Sequence, residues 1–164
     1  MKINKYIKWI FLVLCVAINI FIIVNACLNG ETSAAESARF SNWLANVLNT
    51  FFIGLINYQN SDAFAGLVRK LVGHFGLFAV SGLLTLPTLF LFLRETKFTR
   101  FYWFLSASLV LGLLLACLTE FIQIFTPGRS ENFVDITIDF GGYLFGTGIC
   151  FAIMYFEHFV DFKK

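Results

Sequence analysis

Charge is what this chain has least of. Asp, Glu, Lys and Arg make up 13% of its 164 residues, with two histidines and two prolines besides. A net charge of +2 is too small to attract nucleic acid, and no such partner is expected. The four cysteines, Cys15, Cys27, Cys117 and Cys150, all lie in apolar runs without CxxC or Cys/His spacing. They frame neither a disulfide scaffold nor a zinc site and read as small packing residues. A nucleophile motif is also missing. A divalent ion held by His74, Asp135 and Glu120 is conceivable, but no HxxxH-type spacing supports it, so neither metal nor cofactor is expected.

What fills the chain instead is apolar. Hydrophobic residues reach 59%, phenylalanine alone numbers 22, and the mean hydropathy is +0.79. Globular domains run nearer 45–50% apolar. Four stretches are long enough to cross a bilayer, which takes about 20 helical residues: 9–28, 71–93, 101–125 and 133–156. Polar and apolar residues do not alternate along them, which argues against a membrane β-barrel and leaves helices as the way to satisfy the backbone in lipid. The expected fold is all-α, one integral membrane domain over 1–164 built as a bundle of four transmembrane helices.

Lys2, Lys5 and Lys8 ahead of the first run, with Val24-Asn25-Ala26-Cys27 near its end, have the outline of a lipoprotein signal. Signal cores run 7–15 residues, shorter than this one, and an uncleaved anchor is the expectation. Lysines at both termini and Arg94, Lys97 and Arg100 between the second and third runs set the orientation. Both termini then face the cytoplasm of a bacterial-type cell membrane, and the loop 29–70 lies outside. Within that loop Phe40, Trp43, Leu44, Val47, Leu48, Phe51, Phe52 and Leu55 recur at helical spacing opposite Ser41, Asn42, Asn46, Asn49 and Thr50. This predicts an amphipathic outer-loop helix, lying in the interface or covering the bundle. Asp62 is placed to cap a helix that runs through Arg69, Lys70 and His74 into the second span.

The remaining charge is concentrated in one place. Glu120 to Asp139 reads EFIQIFTPGRSENFVDITID. Glu120 and Gln123 share a face of the third span, as do Asp135 and Asp139 on the fourth. Gly142 and Gly146 continue that face as a small-residue stripe for close helix packing. Lys70 and His74, four apart, sit at the outer end of the second span. Each residue alone has a structural reading: long side chains reach the interface, carboxylates neutralise Arg129 or Lys70, and Glu131 is solvated in the turn. Together they are harder to dismiss, because an acid at a helix centre costs about 2.5–3.5 kcal/mol to insert. Three helices aiming acids, bases and amides at one end predict a site formed by Lys70, His74, Glu120, Gln123, Arg129, Asp135 and Asp139.

Two of these runs also resemble a known pattern. Glu120-x-x-Gln123-x-Phe125-x-Pro127-Gly128-Arg129, then Asp135-x-x-x-Asp139-x-x-Gly142-x-x-x-Gly146, is similar to the signature of VanZ-like membrane proteins. Lys70, His74-Phe75 and Phe78 resemble that family's Lys…His-Phe…Tyr stretch. Asp139 departs from the family's usual asparagine, and Phe78 from its common tyrosine. The resemblance implies a role in the cell envelope, named for members that confer low-level teicoplanin resistance, and it supplies no mechanism. Three functions stay open. The outer pocket binds or alters a membrane lipid, an envelope glycopolymer or another membrane protein. Alternatively it is an outer-leaflet enzyme with Glu120, Asp135 or His74 as acid and base, or an ion-coupled transporter. Against transport, the second to fourth spans carry no acid or base in their inner halves.

Overall fold

Long apolar runs form helices here, the one that contains Pro87 included. The computed structural model describes residues 5–52, 55–56, 60–93, 101–129 and 132–156. Helix α1 spans Lys5–Cys27 and α2 spans Gly30–Phe51. Next, α3 (Ser61–Val68), a π-helical segment (Arg69–Gly76) and α4 (Leu77–Leu93) run on as one rod. Helices α5 (Phe101–Ile124) and α6 (Phe133–Phe156) complete the chain. No strand occurs among the described residues, and four helices are long and apolar enough to cross a membrane. The basic residues of 94–100, Glu131, and the lysines at 2, 163 and 164 lie outside the described residues.

The centre of the bundle is the pair α4–α6, and glycine makes it possible. A Cβ on Gly142 would meet the carbonyl of Phe75, one on Gly146 the carbonyl of Ala79, and one on Gly82 the carbonyl of Tyr143. The expected stripe of Gly142 and Gly146 is therefore a seam where two backbones touch. Helix α1 packs on α4, and α5 on α6. Ile22, Phe78, Ala116 and Tyr143 form one core cluster, and Leu86, Phe104, Cys150 and Met154 another.

The second membrane helix begins at Ser61 and, as expected, runs through Arg69, Lys70 and His74 to Leu93, 33 residues in all. At 1.5 Å per residue that is roughly 50 Å, well beyond a hydrocarbon core of about 30 Å, so the span expected over 71–93 is the end of a longer rod. Its cap differs from the expectation. Asp62 falls inside the first turn of α3, whose cap position is Asn60. Finally, α2 begins at Gly30, capped by the Asn29 side chain accepting from Thr32 N–H at 2.8 Å. Burial along it does not follow the apolar pattern: Phe40, Trp43 and Phe51 are exposed and Leu44, Val47 and Leu48 half-buried, while Ser41 is the buried residue of the helix and Asn42, Asn46 and Thr50 are exposed.

Candidate functional site

The π segment decides which residues reach the site. In an α-helix, residues four apart share a face; in a π-helix the bonding is i→i+5, and five apart takes over. Arg69 and His74 are five apart in this segment and line the same cavity. Lys70, four from His74 and exposed like Arg69, does not line it.

His74 meets α6 at Asp139, with Nδ1 3.0 Å from Oδ1. Asp139 is 1% exposed and has the histidine as its hydrogen-bonded partner. From α5, Glu120 comes in at 4% exposure. Its Oε2 accepts from the Asn132 N–H at 3.3 Å, while its buried Oε1 has no hydrogen-bond partner. Asp135, one turn before Asp139, also holds a buried oxygen, Oδ1, without a partner. Ligand-capable atoms of His74, Glu120 and Asp139 lie within 4.8 Å of one another. Three helices do converge here.

Beside this cluster opens a cavity of about 90 Å³. Its polar wall comprises Arg69, His74, Gln123, Arg129 and Asp139, with Ser33 and Ser37 of α2 closing the other side. A site needs only ~10–15 Å³ of such volume per water, so this one admits several waters or a compact polar group. Glu120 and Asp135 are not in this wall.

Arg129 is not held by Glu120. Its Nε donates to the carbonyl of Leu28 at 3.3 Å and its Nη2 to that of Asn25 at 3.0 Å. Thr126 Oγ1 donates to the carbonyl of Ala26 at 3.2 Å, and Gly30 N–H donates to that of Pro127 at 2.9 Å. The turn around Pro127 therefore caps the last turn of α1, whose carbonyls have no partner within their own helix. Gly128 takes φ +72°, and a Cβ on Gly30 would collide with the Gly128 carbonyl. Burial first, and then the nearby positive Arg69, pull the Arg129 guanidinium below its ordinary value, with Glu120 opposing. It stays a cation, as guanidinium does throughout the range in which proteins work.

Polar groups also extend deeper than the carboxylates. Ser81 Oγ donates to Asn19 Oδ1 at 2.9 Å, and Thr85 Oγ1 donates to the Ser81 carbonyl at 2.8 Å. Tyr143 Oη and Ser108 Oγ stand 3.0 Å apart. Neither this core network nor Arg69 was anticipated. Asn19 in the middle of VLCVAINIFII was the available sign, since a lone amide in hydrocarbon requires a partner.

A family model described as VanZ/LLP1 matches residues 9–155, nearly the whole chain. No curated protein and no solved structure matches it.

Proposed function

Since this chain belongs to the VanZ/LLP1 family, we propose that it acts in the cell envelope by binding an anionic group of an envelope lipid or glycopolymer at the polar end of its bundle, and thereby alters glycopeptide susceptibility. The observation that carries the reading is Arg69. It lines the cavity beside Arg129 and forms no ion pair among the described residues. Two guanidiniums on one small cavity repel each other unless an anion lies between them, and a phosphate or carboxylate matches their fork geometry. The buried Gln123 amide and the two serines of α2 add hydrogen-bonding groups suited to a sugar or glycerol headgroup.

The polar end faces outward in this reading, with both termini cytoplasmic. Native mass spectrometry of the purified protein with anionic and zwitterionic lipids tests it. Anionic lipid should bind preferentially, and Arg69→Gln should weaken it about tenfold, the ~1.4 kcal/mol of one charged contact. Teicoplanin susceptibility should follow the same substitution. Equal binding of anionic and zwitterionic lipid by both proteins would remove the reading. A second reading, an outer-leaflet enzyme, has the unpartnered Glu120 Oε1 in its favour as an acid–base group. Turnover of an envelope lipid by wild type and not by Glu120→Gln would establish it.

A further inference from the structure

The lipid reading leaves one group unused: the buried set behind the cavity wall. Glu120 and Asp139 are both nine-tenths buried, Asp135 hides an unpartnered oxygen one turn before Asp139, and the His74 imidazole bonds Asp139 and lies near Glu120. Buried carboxylates without a matching positive charge are costly, and Glu120 Oε1 has no donor at all. One hydrogen from Asn132 satisfies its other oxygen and neutralises nothing.

We propose that His74, Glu120 and Asp139 hold a divalent transition-metal ion, of the zinc or manganese class. His74 Nδ1 and Asp139 Oδ1 are 3.0 Å apart. Two neighbouring ligands at about 2.1 Å from one octahedral centre are also ~3.0 Å apart, so the ion takes the place of the proton shared by this pair. The Glu120 carboxylate lies within 4.8 Å of both. Opposed ligands at that bond length stand ~4.2 Å apart, a gap that side-chain rotation closes. One imidazole and two carboxylates suit a borderline ion, where thiolates would select a softer one and oxygen alone a harder one. The charge then balances: two carboxylates, a neutral histidine, a dication.

Three protein ligands leave coordination positions open, the pattern of working ion sites and not of structural ones, which close with four. His74 and Asp139 also line the cavity that holds Arg69 and Arg129. An ion here places a Lewis acid next to an anion grip. The set combines helices α5 and α6 with the π segment, so spacing along the chain could not display it.

The test uses the purified full chain in detergent, stripped with chelator and with its thiols alkylated so that Cys27 and Cys117, both exposed, cannot compete. Zinc and manganese are titrated calorimetrically with no lipid added. The expected result is one ion per chain, with Glu120→Gln and Asp139→Asn each weakening it by at least about 100-fold, since loss of an outer-shell partner alone costs about 10–100-fold. Asp139→Asn keeps an oxygen for the histidine N–H, and its ion-free melting is measured alongside to show that the fold survives. Cobalt substitution should give a visible spectrum of nitrogen and oxygen ligation. Absence of binding in wild type, or equal binding by wild type and Glu120→Gln, overturns the proposal. The lipid assay is run in chelator, so the two readings fail separately.

Discussion

At Arg129 one side chain holds two helices together, and its chemistry is specific. The planar fork reaches the carbonyls of Leu28 and Asn25 at once, and a lysine ammonium cannot reproduce that geometry. Arg129→Gln is expected to cost about 1.5–3 kcal/mol, the worth of hydrogen bonds to a charged group, read as a lowered melting temperature. Arg129→Lys should recover less than half of it. A glutamine variant that melts with wild type would show the clamp to be idle. Asp139 makes a contrasting case. Asparagine there offers the same acceptor to His74, so Asp139→Asn should stay within about 1 kcal/mol of wild type by denaturation. Alanine strands the imidazole and should cost about 1–3 kcal/mol. Residue types were legible in the sequence at this scale: Glu120, Gln123, His74 and Asp139 do converge. Partners were not, because Arg129 bonds across a separation of 101 and 104 residues to main-chain oxygens, which carry no sequence signature.

Among the elements, the α4–α6 seam offers the sharpest test. Gly142 and Gly146 face backbone carbonyls, whereas Gly141 and Gly148 on the same helix have nothing within 4 Å of a Cβ. Gly142→Ala and Gly146→Ala should each cost about 1–3 kcal/mol through overpacking. Gly141→Ala and Gly148→Ala should be neutral or stabilising by up to ~1 kcal/mol, the helix preference of alanine. The same ranking for both pairs would mean the helices do not touch there. Four-residue spacing revealed this seam because α6 is a regular helix. It is a poorer guide in the π segment, where the period changes and Arg69, not Lys70, lines the cavity with His74. On α2 the apolar pattern left open whether its greasy side meets the protein or the interface. Phe51 is 76% exposed, and the apolar surroundings are outside the fold.

For the molecule as a whole, the apolar runs located the four helices among the described residues that are long and apolar enough to cross a membrane. Hydropathy alone marks less than the full second rod, because its stretch from Ser61 carries charges at 69 and 70 and extends beyond a membrane core. Orientation rests on basic residues and is tested directly. In a cysteine-free background, Ala38→Cys on the exposed side of α2 should react with an impermeant thiol reagent in intact cells, while Thr96→Cys should react only after lysis. The reverse pattern would move the polar end to the cytoplasm.

The cap on α1 is supplied by residues translated much later. Carbonyls of Ala26 and Leu28 wait for Thr126 and Arg129, which follow them by 100 and 101 residues, and that of Asn25, bonded locally to Leu28 N–H, gains Arg129 as a second donor 104 residues later. Ribosomes add roughly 5–20 residues per second, so the C-terminal end of the first helix lacks these bonds for about 5–20 s. During that interval α2 can pack on α3 and the π segment but lacks its anchor at the N-terminus, where Gly30 bonds to Pro127 and abuts Gly128. Biogenesis therefore has a late locking step: the hairpin between α5 and α6 arrives and fastens the oldest part of the chain. A truncated product lacking that hairpin should insert yet remain sensitive to proteases along 30–51, and supplying α5 and α6 as a separate polypeptide should protect it.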